Sequence, residues 1–230
     1  AYAGDTVHVL DGTYAETVFA DRSGFAGFPI TFMADPGVTV TGDPLGFGSA
    51  FAISVKSYII VDGYNITETK DRGIYVDSSN HITIQNNHVT YAGINAGPDQ
   101  HKQGIFLRNT TDSLVASKTT DHNSCTGIRL SKGSNNNIIQ DNVSFGNSSI
   151  IAYSEVIVSD AAGIDVVGSN YNTLIHNITY ANEDSGINFY SDSGGGSTYN
   201  LAVANLSYGN GDHGIDNNGS PYNTLVGNTV

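Results

Sequence analysis

The chain has 230 residues, 27 glycines, no tryptophan and one cysteine, and its formal net charge at pH 7 is −13. All 9 lysines and arginines lie at or before Lys132, whereas 9 of the 22 acidic residues follow it, a distribution that disfavours a nucleic acid or an acidic membrane as partner. No apolar run approaches the roughly 18 residues of a membrane span, and the single Cys125 excludes a disulfide framework and a zinc set. The length fits one domain over residues 1–230.

The first quarter of the chain predicts short strands. Alternating, β-branched segments occupy residues 6–10, 17–19, 30–33, 38–41, 51–55 and 58–61. Between them lie turn signals such as Asp11-Gly12 and Asp35-Pro36-Gly37, which favour strand–turn repetition over helices. The chain begins and ends on what read as interior coils. We therefore expect a fragment or processed piece that lacks one or both terminal caps.

A Gly-Ile pair followed by a strand recurs through the rest of the sequence. Two of its intervals are 23 residues and the others are longer, which indicates one repeat of about two dozen residues interrupted by insertions. The pairs are Gly73-Ile74, Gly104-Ile105, Gly127-Ile128, Gly163-Ile164, Gly186-Ile187 and Gly214-Ile215. This periodicity predicts an all-β solenoid, a parallel β-helix of about 8–9 coils spaced ~4.8 Å apart.

Aligning the repeats gives columns of like residues, which predict ladders along the stack. One column is His88, Lys118, Asn142, Asn177, Asn205 and Asn228, and another is Gly93, Asn123, Asn147, Asn182 and Asn210. An aromatic column of Tyr91, Phe145, Tyr180 and Tyr208, with Asp121 among them, is expected to fill the lumen. Asn65, Asn142, Asn177 and Asn205 also match the glycosylation sequon, but we interpret nearly all of these as buried ladder residues.

Three insertions flank the Gly-Ile strand, over residues 91–102, 148–160 and 191–197. In repeat proteins, insertions cluster on the binding face. The Gly-Ile strand is therefore the predicted floor of a cleft.

Acidic residues gather around this strand. The outward column after each Ile places Asp165 over Asn188 over Asp216, and Asp184 and Asp212 stack just upstream. Carboxylates ~5 Å apart repel one another unless a hard cation bridges them, and calcium–oxygen bonds of about 2.3–2.6 Å fit that gap. The sequence predicts a calcium site from these four aspartates. The alternative is that Asp184 and Asp212 are ordinary turn residues before a glycine.

The basic candidates lie on earlier coils. Arg129 and Lys132 precede Asp165 by one coil, and Lys102 and Arg108 lie one coil earlier still. Ordinary surface charge is the alternative for each. His213 is open to three interpretations, as a ligand, a proton carrier or a turn residue.

The chain resembles a pectate-lyase-type right-handed β-helix. Residues 4–14, 28–32 and 37–40 resemble the opening coils of family 9 pectate lyases, and Asp212-His213-Gly214-Ile215-Asp216 is similar to their calcium motif, with His213 in place of the middle carboxylate. The resemblance implies a secreted or cell-surface, calcium-dependent lyase that cleaves an acidic uronate polysaccharide by β-elimination. It implies metal ligands at Asp165, Asp184, Asp212 and Asp216, substrate contacts at Asn188, Lys102 and Arg108, and a catalytic base among Arg129, Lys132 and His213.

Other functions fit the same pattern. Chondroitinase- and alginate-lyase-type helices open similarly, and mannuronan C5-epimerases show Asp/His-Gly-hydrophobic coils, which His213 matches. A glycoside hydrolase needs two or three close carboxylates and no metal. A non-catalytic polysaccharide-binding or surface-structural β-helix predicts binding without turnover.

Overall fold

The computed structural model describes residues 1–94, 102–149, 161–192 and 195–230. The chain is an all-β, right-handed parallel β-helix in which each coil contributes one strand to each of three parallel sheets. The described residues form 25 strands, so the predicted fold class and coil number are confirmed. Of the predicted insertions, residues 95–101, 150–160 and 193–194 lie outside the described residues.

The strands are named in chain order and grouped by sheet. Sheet A contains β1 (Thr6–Val9), β4 (Ile30–Ala34), β7 (Ser57–Asp62), β10 (Asn80–Gln85), β13 (Leu114–Ala116), β16 (Ile138–Gln140), β19 (Thr173–Ile175), β22 (Leu201–Val203) and β25 (Thr224–Val226). Sheet B contains β2 (Thr13–Tyr14), β5 (Thr39–Val40), β8 (Asn65–Thr67), β11 (His88–Thr90), β14 (Thr119–Asp121), β17 (Val143–Phe145), β20 (Ile178–Tyr180) and β23 (Leu206–Tyr208). Sheet C contains β3 (Val18–Phe19), β6 (Phe51–Ser54), β9 (Ile74–Asp77), β12 (Ile105–Arg108), β15 (Ile128–Ser131), β18 (Ile164–Val167), β21 (Ile187–Tyr190) and β24 (Ile215–Asn218).

The Gly-Ile repeat builds the lumen. Each Ile begins a strand of sheet C and pairs in register with the Ile of the next coil. Ile74, Ile105, Ile128, Ile164 and Ile187 are fully buried. The preceding glycine is required because the lumen wall passes so close. A Cβ at Gly186 would overlap the hydroxyl oxygens of Thr179 and Ser207.

Asparagine ladders run along the inside of the turns. Asn142 Nδ2 donates to Asn177 Oδ1 at 2.8 Å, and the chain of bonds continues through Asn205 to Asn228 at 2.9 Å each. A second ladder joins Asn123, Asn147, Asn182 and Asn210. Each amide oxygen also accepts a backbone N–H from the preceding coil, so these buried polar groups are satisfied. A third ladder, which aligning the internal repeats did not reveal, joins Asn137, Asn172, Asn200 and Asn223.

The alignment was wrong by one residue at the first member of both predicted ladders. Asn87, not His88, lies in the turn column, because Asn87 Oδ1 accepts the N–H of Tyr64 while His88 lies in β11 opposite Thr119. Ala92, not Gly93, lies opposite Asn123. A ladder position requires an inward side chain at the turn, and the outward His88 does not meet that requirement.

Three of the four sequon asparagines are ladder residues, as predicted. Asn142, Asn177 and Asn205 are buried. Asn65 is different, because it lies within β8 and donates from Nδ2 to Thr39 Oγ1 at 3.3 Å.

The aromatic column lies outside the lumen, contrary to prediction. Ser144 points inward and is fully buried, so its neighbour Phe145 points outward. Phe145, Tyr180 and Tyr208 stack face to face along the surface of sheet B, with ring centroids 4.8 and 5.2 Å apart. Branched aliphatic residues make up most of the interior, together with Phe51, Tyr64 and Phe189.

Lys118 occupies a ladder position between Asn87 and Asn142 and is 2% exposed. Its Nζ has no hydrogen-bond partner. Burial lowers the pKa of Lys118 from its usual 10.5 to about 6, although the charge of Asp62 opposes the shift. A neutral amine therefore interrupts the amide ladder at this coil.

Among the described residues there is no helix with the length and apolar character needed to span a membrane.

Candidate functional site

The outward column of sheet C has the predicted register. Phe106 pairs with Arg129, Arg129 with Asp165, Asp165 with Asn188, and Asn188 with Asp216. At ~4.8 Å per coil, the run from Phe106 to Asp216 spans about 19 Å. One face of sheet C therefore presents donors and acceptors on successive coils.

Arg129, Asp165 and Asn188 form a connected cluster at the centre of this column. Arg129 Nε lies 3.5 Å from Asp165 Oδ2, and Asn188 Nδ2 donates to Asp165 Oδ1 at 3.3 Å. Asp165 is 2% and Asn188 8% exposed. The amide oxygen Oδ1 of Asn188 is buried and has no hydrogen-bond partner. A carboxylate accepts and does not donate, so Asp165 fixes the amide with its NH₂ group toward the carboxylate and its oxygen turned away.

The acidic residues further along are less enclosed. Asp216 is half-buried, as is Asp184, while Asp212 and His213 are exposed. His213 Nδ1 lies 2.9 Å from Asp212 Oδ2. The backbone N–H of Asp212 donates to the carbonyl of Asp184 at 3.3 Å, so those two residues do lie on adjacent coils as predicted.

The four predicted calcium ligands do not form a ready coordination sphere. Within residues 1–94, 102–149, 161–192 and 195–230 there is no group of three or more His, Cys, Asp or Glu side chains placed to hold a metal ion. Asn188 separates Asp165 from Asp216 in the column, which puts their Cα atoms ~10 Å apart. Asp165 also lies against the guanidinium of Arg129. The residues as placed do not fit a calcium centre.

Each basic candidate is paired with a carboxylate. Lys102 Nζ lies 2.6 Å from Asp71 Oδ1, Arg108 Nη1 lies 3.0 Å from Asp77 Oδ1, and Lys132 Nζ lies 3.3 Å from Asp192 Oδ2. The hydrogen bond to Asp77 raises the pKa of the Arg108 guanidinium. Acids beyond Lys132 thus obtain cationic partners from earlier coils, which local sequence does not reveal.

The three candidate bases do not converge on one point. Arg129 and Lys132 belong to one coil, whereas His213 directly precedes the Gly-Ile pair three coils further on. Three coils correspond to about 14 Å. A single sugar unit cannot contact all three side chains.

Sequence reasoning missed a second cluster on the same face, N-terminal to Arg129. Asp71, which is buried, accepts from Lys102, from Arg72 and from the Ser49 hydroxyl. Burial by itself would raise the pKa of Asp71, but the Lys102 hydrogen bond and the charge of Arg72 outweigh it, and the net shift is downward. The signal available in the sequence was the Asp-Arg-Gly triplet upstream of Ile74.

A third polar cluster lies outside sheet C. Asp121 Oδ1 lies 2.5 Å from His88 Nε2, and Asp121 Oδ2 lies 2.7 Å from His122 Nδ1. Burial alone would raise the pKa of Asp121, but hydrogen bonds from the two imidazoles lower it. This cluster ties β11 to β14 on the surface of sheet B.

Solved structures with the same fold include polysaccharide epimerases, a pectate lyase and phage tailspike proteins. The chain superposes on the A-module of the Azotobacter vinelandii mannuronan C-5 epimerase AlgE4 with a TM-score of 0.66 at 14% identity, covering 98% of this chain and 68% of that one. For the periplasmic alginate epimerase AlgG the TM-score is 0.64 at 14% identity, with 99% and 60% covered. For pectate lyase Pel9A it is 0.59 at 15% identity, with 92% and 62% covered. These likenesses confirm the right-handed β-helix.

Two comparisons concern the sequence itself. The uncharacterized protein YwoF of Bacillus subtilis (strain 168) is 35% identical over 103 residues, which cover 39% of this chain and 22% of that protein. The chain thus spans about a fifth of that relative. Residues 53–230 match the family model described as periplasmic copper-binding protein (NosD), and the chain belongs to the NosD family.

Proposed function

We propose that this chain is an extracytoplasmic β-helix that binds an acidic polysaccharide along the outward face of sheet C. The observation that carries the proposal is Asn188, a buried residue in that face whose amide oxygen has no donor. A buried acceptor without a partner costs about 1–3 kcal/mol. A sugar hydroxyl that displaces the groups covering this oxygen would supply the missing hydrogen bond.

The surrounding column suits a sugar polymer. Arg129 offers donors for a uronate carboxylate, the half-buried Asp216 offers acceptors for hydroxyls, and Tyr75 and Phe106 extend the row with aromatic surface. From Tyr75 to Asp216 the row spans about 24 Å. The similar folds named for mannuronan, alginate and pectate, and the periplasmic family name, support this choice of ligand and compartment.

Turnover is the second candidate, and the His213–Asp212 pair favours it. In β-elimination a base removes the C5 proton of the uronate, and the electron pair left behind expels the C4 oxygen. Arg129 and Lys132 are poor candidates for this base, because each already lies against a carboxylate. If His213 donates from Nδ1 to Asp212, its Nε2 becomes a proton acceptor.

Metal ions supply no step in this proposal. Among the described residues there is no group of three or more His, Cys, Asp or Glu side chains placed to hold a metal ion. Cys125 is buried, and Met33 is a single thioether on the surface. The described residues therefore fit neither the copper in the family name nor the predicted calcium centre. The test nevertheless varies the calcium concentration, because a chain with a net charge of −13 and an acidic polymer repel each other and a cation screens that repulsion.

Calorimetric titration with hexamers of galacturonate and of mannuronate tests the proposal, with calcium and with chelator. We expect the wild-type chain to bind one or both, and Asn188→Ala to weaken binding about three- to tenfold through one lost hydrogen bond. The matched control is Asn65→Ala on sheet B, which should bind as wild type. Absence of binding in all conditions, or equal affinity in the Asn188→Ala variant, would falsify the proposal. Ultraviolet absorbance of an unsaturated product, abolished by His213→Ala, would establish turnover.

A further inference from the structure

We propose that Arg72 and Lys102 form a subsite that takes the carboxylate group of a uronic acid unit, with Asp71 as its positioning residue. The inference rests on the proposed function, since it places a charge-selective subsite N-terminal to Asn188 on the same face. Of these three residues, only Lys102 was predicted from the sequence to contact a ligand.

The cluster is built on a buried anchor. Asp71 Oδ1 accepts from Lys102 Nζ at 2.6 Å, Asp71 Oδ2 accepts from Arg72 Nη1 at 3.0 Å, and the Ser49 hydroxyl donates to the same Oδ2 at 2.9 Å. The backbone leaves space for this arrangement, because a Cβ at Gly93 would overlap the side chain of Lys102. Both cationic groups are therefore held in place before any ligand arrives.

Arg72 is held by aromatic rings as well. Its guanidinium carbon lies 5.1 Å from the ring centroid of Tyr75 and 4.9 Å from that of Phe106, and its Nε donates to Gln103 Oε1 at 3.0 Å. These contacts hold the planar guanidinium in one orientation, and a guanidinium so fixed suits the two oxygens of a carboxylate. The aromatic rings offer apolar surface beside it for the carbon skeleton of a sugar.

Charge distinguishes this cluster from the other ion pairs of the face. In the part of the chain that the structure describes, Arg108, Arg129 and Lys132 each lie against one carboxylate. Arg72 and Lys102 share one, which leaves an excess of one positive charge in a chain whose net charge is −13. This local excess attracts an anionic group and gives a neutral one no advantage.

The test compares each uronate hexamer with its methyl ester at fixed salt by calorimetric titration. We expect the wild-type chain to bind the acid more tightly than the ester. In the double variant Arg72→Gln/Lys102→Gln, the ratio of acid affinity to ester affinity should fall about tenfold while the affinity for the ester is unchanged. The control variant Arg22→Gln/Lys56→Gln removes the same charge elsewhere and should keep the preference. Where the double variant loses its β-sheet circular dichroism, Arg72→Lys is titrated instead; it keeps the charge, loses the planar fork, and should lose about threefold.

The outcomes separate the two proposals. Equal binding of acid and ester by the wild type, or a preference that survives Arg72→Gln/Lys102→Gln or, in its place, Arg72→Lys, overturns the subsite and leaves polysaccharide binding intact. Loss of preference in the control variant also overturns the subsite, because the effect is then one of net charge. Failure of the wild type to bind either form overturns the proposed function itself.

Discussion

Replacing Lys118 with asparagine should stabilise the chain. The side chain is buried at a ladder position, and its Nζ lacks a hydrogen-bond partner. An asparagine there would accept the N–H and the side-chain amide of Asn87, and would donate to Asn142, as the other ladder members do for their neighbours. The substitution removes an unpaired amine and restores the amide ladder in one step.

The shifted pKa of Lys118 sets the size of the effect. The pKa falls from 10.5 to about 6, so at pH 7 the folded amine is neutral while the unfolded one is charged. Releasing that proton costs about 1.4 kcal/mol per pH unit below 10.5, or about 5 kcal/mol at pH 7. The unfolded state binds more protons between the two pKa values, so the stability of the wild type rises with pH from about 6 toward 10.5 and is independent of this group below 6.

Urea unfolding followed by far-ultraviolet circular dichroism at pH 6, 7 and 9 measures the effect. The advantage of Lys118→Asn over wild type should fall by about 4 kcal/mol between pH 6 and pH 9, because the cost of releasing the proton shrinks by about 1.4 kcal/mol per pH unit. Lys118→Met, which removes the charge but restores no ladder bond, should show the same pH dependence with a smaller gain. An advantage that does not change between pH 6 and 9, or an asparagine variant less stable than wild type, would refute the reasoning.

Three further predictions concern the ladders, the glycines and the surface of sheet B. Asn177→Ala breaks a ladder in its buried middle and should lower the free energy of unfolding by about 2–4 kcal/mol, more than Asn228→Ala at the last coil, as measured in urea. Gly186→Ala forces a Cβ against two hydroxyls and should cost about 2–4 kcal/mol. Gly196→Ala should cost under about 1 kcal/mol, because its Cβ would lie 3.2 Å from the Thr198 methyl group and 3.8 Å from its other near neighbours; equal midpoints would contradict this. The pKa of Asp121 is lowered by folding, so its contribution is present above about pH 4 and is lost on acidification; Asp121→Asn should unfold with a shallower pH dependence below pH 4, and an unchanged acid profile would count against the cluster.

The fold could be predicted from the sequence because its signals repeat. The six Gly-Ile pairs and the asparagine columns each mark a fixed place in a coil, so errors in one coil are corrected by the next. Where a single coil departs from the pattern, the alignment failed by one residue, as at His88 and Asn87. The aromatic column was misplaced because a one-residue step in a strand exchanges inside for outside.

The site was harder to predict because its partners are far apart in sequence. Lys102 meets Asp71 from 31 residues away, and Lys132 meets Asp192 from 60. Such distances depend on the length of every intervening coil and insertion. The outward column was predicted correctly because strand register alone determines it. The predicted cluster of four aspartates depended in addition on side-chain directions, which the spacing of residues in the sequence does not encode.

The most direct measurement is a crystal structure of the chain with a bound uronate hexamer. We expect the oligomer to lie along the outward face of sheet C, with a sugar hydroxyl about 3 Å from Asn188 Oδ1 and a carboxylate against Arg129. An oligomer seated on sheet A or sheet B, with Asn188 Oδ1 still lacking a donor, would contradict it.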